Sequence, residues 1–312
     1  MNDVSPVSFS TVLEQIQINL QRTDGDASRL FHGRGRTFPG YEHLAIDYYH
    51  PVVLITLFAS VDDGRLQSLC DQLRPIVQAS GVSAIAVQER HRDGAPLRII
   101  WGELPHKMTA LEAGLRYGIQ LGGRQNLGFF LDMAQARQWL AGRAAGKRVL
   151  NLFSYTCAFS VVARAAGALQ VVNLDMSAAA LRQGQQNHQR NGIFDGAQFL
   201  SHDLFKSWGK LRRLAPFDLI VVDPPSRQPG SFVADRDYQR VLQKLPALCA
   251  PAAELLICLN SPHLESSFLR ELVAEHAPQF EFQQRLPNPA SFVDENPELS
   301  LKVLAYRYIG QA

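Results

Sequence analysis

The sequence lacks the features that mark secreted, membrane-spanning and metal-binding proteins. Its four cysteines, Cys70, Cys157, Cys249 and Cys258, form no C-x-x-C pair, so we expect reduced thiols and neither disulfides nor a zinc site. No apolar run reaches the ~18 residues that a membrane-spanning helix needs. The nine histidines show no ligand spacing, so we expect no metal. The segment MNDVSPVSFSTVLEQIQINL has no basic stretch before an apolar block, and we expect no signal peptide and a cytoplasmic location.

Charge of either sign is also scarce. Charged residues make up 19% of the 312 residues, and the formal net charge is only +2. That balance permits nucleic-acid binding but does not argue for it. The apolar fraction of 46% is enough for an ample core, and the length suits one large domain or two ordinary ones.

The segment 147–225 alternates short apolar runs with helical patterns. Continuous Val, Ile and Leu favour strands that are buried on both faces. The runs lie at residues 149–153, 171–174 and 217–222, and helices are predicted near 158–166 and 177–190. Strands that alternate with helices are typical of right-handed βαβ units. We therefore predict an α/β fold with a mostly parallel sheet and helices on both faces.

Polar residues follow the ends of these predicted strands, where ligands of open α/β sheets bind. They are Asn151, Ser154, Tyr155, Thr156, Asp175, Asp203 and Asp223. A carboxylate that closes the second strand, Asp175, can accept both hydroxyl hydrogens of a ribose, and each such charge-assisted bond contributes roughly 1.5–3 kcal/mol. Asp175 can also cap the helix that begins near Ser177, and the two roles are compatible. The ligand implied is a nucleoside.

The turn after the first of these strands contains no glycine. A dinucleotide needs the close backbone approach that G-x-G-x-x-G allows, but there is no glycine between Gly146 and Gly167. S-adenosylmethionine has no phosphate and tolerates such a turn better. The segment Asp223-Pro224-Pro225 agrees with this donor, because two prolines fix a rigid turn. In many nucleic-acid methyltransferases, Asp or Asn before Pro-Pro holds the target nitrogen or base edge.

Four motifs resemble those of one enzyme family, the bacterial 23S ribosomal RNA large-subunit methyltransferases. They are GFFLD at 128–132, NLFSYT at 151–156, NLDMS at 173–177 and DPP at 223–225. The closer half of the family makes 7-methylguanosine, and its sister group makes 5-methylcytosine. The resemblance runs from about residue 29 to the C-terminus. It implies a class I, Rossmann-like methyltransferase that uses S-adenosylmethionine and acts on RNA, in particular ribosomal RNA.

The resemblance also assigns residues to a donor site, with Asp203 at the adenine amino group. The predicted donor site comprises Asp132, Asn151, Phe153, Ser154, Tyr155, Thr156, Asp175, Met176, Ser177, Asp203, Leu204 and Asp223. The predicted catalytic residues on the substrate side are Asp223, Pro224, Pro225 and Asn260. The chain departs from the family at two places. Cys157 replaces a glycine, and Ser226-Arg227 stands where an aromatic residue usually follows DPP.

Position 260 separates the two halves of the family. Methylation of cytosine C5 needs a thiolate that adds to the ring, and the sister group has cysteine where this chain has Asn260. Cys258 lies nearby, but a buried structural thiol is the simpler interpretation. Nitrogen methylation needs no adduct, because positioning carries most of the catalysis. A cytosine-C5 enzyme, an enzyme with another RNA or a non-RNA acceptor, and a degenerate nucleoside- or RNA-binding protein remain alternatives.

The remaining segments predict the domain organisation. We expect an N-terminal helix within 1–28, a small α+β domain at 29–120 for substrate recognition or structure, and the methyltransferase domain at 121–312. The small domain is predicted to contain strands at 44–49, 52–58, 84–88 and 97–101 and a helix at 62–79. Its residues Arg34, Arg36, Arg90 and Arg92 form either a basic rim for RNA phosphates or solvated loop charges.

Further predictions concern segments beside the predicted site. A strand pair is expected within 115–131, with Gly122-Gly123 as its turn. Asp132 then serves either as the N-cap of a helix at 133–144 or as a donor contact. A helix is expected at 232–249 and a strand at 255–259. The candidates for stacking on an extruded base are Arg227, Phe232 and Phe292.

Overall fold

The computed structural model describes residues 9–122, 126–225, 227–228 and 232–310. The chain divides into two compact units. Unit 1 comprises Met1–Leu131 and Ala290–Glu295, and unit 2 comprises Asp132–Pro289 and Asn296–Ala312. These units differ from the domains drawn from the sequence, because the N-terminal helix packs into the core of unit 1 and residues 121–131 also belong there.

Unit 1 is built on a five-stranded sheet in the order β1-β2-β3-β4-β5. Its elements are α1 (Ser10–Leu20), β1 (Ser28–His32), β2 (Leu44–Tyr49), β3 (Val52–Leu57), α2 (Asp63–Gln78), β4 (Ala84–Glu89) and β5 (Leu97–Gly102). Strands β3 and β4 are parallel, which requires a crossover, and α2 supplies it. Every residue of β2, β3 and β4 is buried. The N-terminal helix, the strands predicted at 44–49, 52–58, 84–88 and 97–101 and the helix predicted at 62–79 are confirmed.

The predicted strand pair within 115–131 is wrong. Strand β7 (Leu115–Ile119) instead pairs with the preceding strand β6 (Met108–Glu112). Their two-residue turn, Ala113-Gly114, has positive φ at both positions, as the type I′ turn of a β-hairpin requires. Of the predicted turn, Gly123 lies outside the described residues.

Unit 2 contains a seven-stranded sheet and a small two-stranded ribbon. Its strands are β8 (Arg148–Leu152), β9 (Gln170–Asp175), β10 (Ala197–Ser201), β11 (Phe217–Val222), β12 (Arg227–Gln228), β13 (Phe232–Val233), β14 (Cys249–Leu259), β15 (Phe280–Leu286) and β16 (Lys302–Tyr308). Its helices are α3 (Ala134–Ala141), α4 (Ala158–Ala165), α5 (Ala178–Arg190), α6 (Trp208–Leu214), α7 (Ala234–Leu242) and α8 (Ser266–His276).

The order of the large sheet, β10-β9-β8-β11-β14-β16-β15, places its switch point between β8 and β11. All neighbours from β10 to β14 are parallel, and β16 is antiparallel to both β14 and β15. One face of the sheet packs against α7 and α8, and the other packs against α3 and α4. The predicted fold class, a mostly parallel α/β sheet with helices on both faces, is confirmed.

Two predicted elements have different bounds. Helix α7 ends at Leu242, well before residue 249, and a short 3-10 helix with Pro246 near its start follows. Proline cannot supply the hydrogen-bond donor that a continuing α-helix needs. Strand β14 begins at Cys249 rather than near 255, because it also pairs with the start of β11.

Candidate active site

The turn between β8 and α4 has an unusual backbone. Phe153, Tyr155 and Cys157 adopt left-handed conformations with φ of 57°, 46° and 61°. Such conformations cost non-glycine residues of order 1–3 kcal/mol each and cluster at ligand sites. Ser154 anchors the turn to β9 by donating its N–H to the carbonyl of Leu174 at 3.1 Å. The strain therefore marks this turn as a candidate binding site.

Asp175, at the end of β9, connects this turn to the next helix. Its Oδ2 accepts the N–H of Tyr155 at 2.8 Å, and its Oδ1 accepts the N–H of Ser177 at 2.7 Å. The N-cap of α5 is Ser177, whose Oγ accepts the N–H of Ala180. The predicted capping role of Asp175 is therefore wrong. A carboxylate has about four acceptor positions, so Asp175 keeps capacity for two more donors.

The ends of β9 and β10 meet through a bond from the N–H of His202 to the carbonyl of Asp175 at 3.1 Å. This bond brings Asp203 near the same edge of the sheet. Asp203 caps a 3-10 turn by accepting the N–H of Phe205 at 2.9 Å. Met176 is 50% exposed there, whereas the side chain of Leu204 is buried in the core. Only the backbone of Leu204 is therefore available for the predicted contact with S-adenosylmethionine.

Asn151 lies beneath the turn rather than at its surface. Its Nδ2 donates to Asn173 Oδ1, Asn173 Nδ2 donates to Ser160 Oγ, and Ser160 lies 2.9 Å from Nε2 of His188. Burial lowers the pKa of His188, and its Nδ1 faces the carbonyl of Gly184 at 2.8 Å. Because a carbonyl only accepts, Nδ1 carries the proton and Nε2 accepts from Ser160. The side chain of Asn151 thus positions other residues. This corrects the prediction that it contacts S-adenosylmethionine.

Thr156 and Cys157, the last residues of the turn, are also buried. The carbonyl of Thr156 accepts a bond from Nδ2 of Asn187 at 3.0 Å. The side chain of Cys157 packs against α5 at Gly184, where an added methyl group would overlap Sγ and lie 2.9 Å from Cβ of Cys157. Because Gly184 has no side chain, α5 leaves room for the side chain of Cys157, which stands where the family has glycine.

A second cluster of polar side chains lies at the end of β11. Burial and, to a smaller extent, the charge of the nearby Asp132 raise the pKa of Asp223 to about 7, although a hydrogen bond with Cys258 and the charge of Arg137 act in the opposite direction. Burial and the charge of Asp223 raise the pKa of Cys258 well above its usual value. The carboxyl of Asp223 therefore exchanges its proton near neutral pH, while Cys258 stays a thiol.

Arg137 is a residue that sequence reasoning missed. It lies on α3, is only 2% exposed and contributes positive charge beside Asp223. A signal was available, because Arg137 is spaced four residues after Met133 and three before Leu140, within the apolar stripe of the helix. The predicted N-cap role of Asp132 is wrong: Met133 is the N-cap, and Asp132 lies in the preceding 3-10 turn.

The other predicted substrate-side residues surround this cluster. Pro224 is buried, Pro225 is half-buried, and Asn260 is exposed directly after β14. The turn after Asn260 is held by buried Lys302, whose Nζ donates to the carbonyls of Ser261 at 2.6 Å and Glu298 at 2.7 Å. Phe232 is fully buried, so it offers no stacking surface. The side chain of Arg227 lies outside the described residues.

No group of three or more His, Cys, Asp or Glu side chains that could hold a metal ion occurs in the described part of the chain. Within that part, no helix is long and apolar enough to cross a bilayer.

Residues 28–307 match the family model described as S-adenosylmethionine-dependent methyltransferase. The chain belongs to this family. The predicted S-adenosylmethionine-dependent methyltransferase family is thereby confirmed, whereas the ribosomal RNA substrate and the 7-methylguanosine product stay predictions.

Named relatives agree with this family. Ribosomal RNA large subunit methyltransferase I of Aeromonas salmonicida is 30% identical over 247 residues, covering 76% of this chain and 62% of the relative. A ribosomal RNA large subunit methyltransferase of Deinococcus radiodurans is 29% identical over 266 residues, covering 80% and 63%. The chain thus spans slightly less than two thirds of these relatives. SMU.776 complexed with SAH shares the fold, with a TM-score of 0.81 at 24% identity over 98% of this chain and 83% of that chain.

The family implies S-adenosylmethionine as cofactor, and the residues at the predicted cofactor site of this chain fit it. The free acceptor capacity of Asp175 suits a ribose diol, and the carboxylates of Asp132 and Asp223 suit a sulfonium cation. The glycine-free turn does not have to accommodate a phosphate.

Proposed function

We propose that this protein transfers a methyl group from S-adenosylmethionine to a base nitrogen of large-subunit ribosomal RNA, with guanine as the base, in the cytoplasm. The observation that carries the proposal is the position of Asp175. Its carboxylate binds the strained turn through the N–H of Tyr155 at the edge of the sheet where Asp223 follows β11. The names of the curated relatives support ribosomal RNA as the acceptor.

On the donor side, the cofactor supplies an electrophilic methyl group on a sulfonium. Asp175 is proposed to accept the ribose hydroxyls, and Asp203 to accept the adenine amino group. The exposed side chain of Met176 offers an apolar contact to the adenine ring. The carboxylates of Asp132 and Asp223 place negative charge where the sulfonium is positive, which favours binding of the cation.

On the acceptor side, the rigid Pro224-Pro225 turn and Asn260 are proposed to hold the base edge beside Asp223. Positioning of this kind can supply most of the rate enhancement when the acceptor nitrogen has its own lone pair. The fully buried Cys258 favours nitrogen over cytosine C5, because a protonated, inaccessible thiol cannot add to a ring.

The donor half of the proposal is tested by calorimetric titration of S-adenosylmethionine. The unchanged protein should bind it, Asp175→Ala should lose measurable binding, and the matched control Asp195→Ala should bind normally. Asp195 is an exposed carboxylate that pairs with Arg164. If the unchanged protein binds no S-adenosylmethionine, a nucleoside- or RNA-binding protein becomes the better interpretation.

The acceptor half is tested by methyl transfer to large-subunit RNA from a strain that lacks the corresponding gene. Asp223→Ala should abolish transfer but weaken S-adenosylmethionine binding only in part, because Asp132 and Asp175 remain. Cys258→Ser should retain transfer. Loss of transfer in Cys258→Ser, with Asp223→Ala still active, would favour cytosine C5 as the acceptor.

A further inference from the structure

We infer that unit 1 carries a binding surface for the phosphate backbone of single-stranded RNA, formed by Arg34, Phe58 and Arg90. We name these three residues the arginine–phenylalanine cluster. The choice of RNA as the ligand rests on the proposed function. The position of the surface rests on contacts within unit 1 and is independent of it.

The cluster is built by adjacent strand ends. Phe58 follows β3, and Arg90 follows β4, which pairs with β3 in parallel so that Leu57 lies opposite Glu89. The N–H of Arg90 donates to the carbonyl of Leu57 at 2.8 Å, which fixes Arg90 beside Phe58. Arg34 approaches the same ring from the 3-10 turn Gly33–Gly35. Two separate parts of the sequence therefore bring arginines to one aromatic ring.

Both guanidinium groups lie over Phe58. The central carbon of Arg34 is 4.2 Å from the ring centroid, and that of Arg90 is 5.3 Å away. Arg34 is exposed, and Phe58 and Arg90 are half-buried, so solvent reaches the cluster. The ring attracts each guanidinium electrostatically and leaves its N–H groups able to bind an acceptor.

The nearby carboxylates are already paired with other arginines. Asp47 accepts two bonds from Arg29, at 2.5 and 3.3 Å. Glu89 pairs with Arg92 at 2.8 Å and with Arg98 at 3.6 Å. Among the described residues, neither arginine of the cluster has a carboxylate partner within 4.0 Å. The sequence predicts a possible basic rim of four arginines that includes Arg92. Because the guanidinium of Arg92 is paired with Glu89, Arg92 is excluded from the cluster.

The cluster therefore concentrates positive charge that an anion would neutralise. Partial desolvation by its surroundings lowers the pKa of the Arg34 guanidinium, and the charge of Arg29 lowers it further. Burial lowers the pKa of Arg90, and the positive charges of Arg34 and Arg29 lower it further. The negative charge of Asp47 raises this pKa but offsets the lowering only in part. A guanidinium fork matches the geometry of a phosphate. Arginine beside an aromatic ring is the combination that single-stranded nucleic-acid sites use.

The salt dependence of RNA binding tests this surface directly. The full-length protein is titrated into fluorescein-labelled oligouridine, with anisotropy as the readout, at several chloride concentrations. Each lost phosphate contact reduces the slope of log K against log salt by about 0.7 for single strands. The double variant Arg34→Ala/Arg90→Ala should therefore lose about 1.4 in slope and at least tenfold in affinity. Arg92→Ala, which removes a paired arginine, is the matched control and should change neither.

Two further arms define the ligand. The double variant Arg34→Lys/Arg90→Lys should keep most of the salt slope while losing affinity, because the charge remains and the planar fork is lost. Inorganic phosphate at equal ionic strength should displace oligouridine only weakly, because a single phosphate replaces only one of the contacts that the strand makes. Displacement of oligouridine by phosphate at low concentration would assign the cluster to free phosphate and overturn the proposal.

Failure of this surface is distinguishable from failure of the proposed function. Calorimetric titration of S-adenosylmethionine and thermal unfolding of each variant should match the unchanged protein. An unchanged oligouridine affinity and salt slope in the double alanine variant would overturn the surface, whatever the donor titration shows. Loss of oligouridine binding in that variant, together with no S-adenosylmethionine binding by any protein, would support the surface and refute the proposed transfer.

Discussion

Adding one methyl group at Gly184 should destabilise the protein only while Cys157 faces it. Gly184 lies in the interior of α5, where alanine is intrinsically favoured over glycine by about 0.8–1 kcal/mol. The new Cβ would however overlap Sγ of Cys157 and lie 2.9 Å from its Cβ. Overpacking of a core costs about 1–3 kcal/mol. We therefore expect Gly184→Ala to lower the free energy of unfolding by up to roughly 2 kcal/mol.

The variant Cys157→Gly should reverse the sign of that effect. Without the thiol, the tightest remaining contact of the new Cβ is the carbonyl of Thr156 at 3.3 Å, which a small shift relieves. In this background Gly184→Ala should be neutral or stabilising by up to about 1 kcal/mol. Cys157→Gly alone should have a small effect, because relief of its left-handed strain, roughly 1–2 kcal/mol, offsets the lost burial of the thiol. The coupling energy of the pair should be about 1–3 kcal/mol.

Urea unfolding of the four proteins of this cycle, followed by circular dichroism, measures the coupling. Because the chain has two compact units, the slope with urea has to be equal in all four proteins before the free energies are compared. If Gly184→Ala costs the same in both backgrounds, within about 0.5 kcal/mol, Cys157 is not the side chain that limits space on α5. The explanation that Gly184 leaves room for the side chain of Cys157 would then be refuted.

Three further outcomes follow from buried polar groups. The pKa of Asp223 is about 7 in the folded protein against an ordinary 3.8, so its stabilising contribution is complete below pH 4 and is lost as the pH rises through 7. Asp223→Asn should therefore gain stability relative to the unchanged protein above pH 7, with about 4 kcal/mol as the ceiling, and thermal unfolding that shows no pH-dependent difference would contradict this. Lys302→Met removes the donor to Ser261 and Glu298 and should lower the melting temperature, since unsatisfied buried acceptors cost about 1–3 kcal/mol each; an unchanged melting temperature would show that water replaces the ammonium. Ser160→Ala interrupts the buried polar chain and should destabilise by about 1–3 kcal/mol, whereas equal urea midpoints would exclude a structural role for that hydroxyl.

Local patterns were sufficient for the elements that position the candidate site. Strands β8, β9 and β11 were predicted because continuous Val, Ile and Leu runs make a strand buried on both faces the only favourable arrangement. Strand ends then located Asp175 and Asp223, since parallel strands present their carboxyl ends at one edge.

Errors arose where contacts with another segment decide between local alternatives. The strand at 115–119 was expected to pair across Gly122-Gly123, but it pairs with the preceding strand β6 across Ala113-Gly114. Asp175 was expected to cap α5, but its carboxylate accepts the N–H of Tyr155 in another turn, and Ser177 is the N-cap.

The sequence by itself determined the α/β class, the strand ends with their carboxylates and the family, because these depend on residue periodicity and on short motifs within one segment. Only the tertiary structure decided which polar groups are buried and with what partners. The proton affinity of Asp223 depends on Asp132, Arg137 and Cys258, which come from three different elements. The fit of Cys157 likewise depends on Gly184 of another helix. Such properties arise from contacts between segments far apart in the chain, and no local pattern encodes those distances.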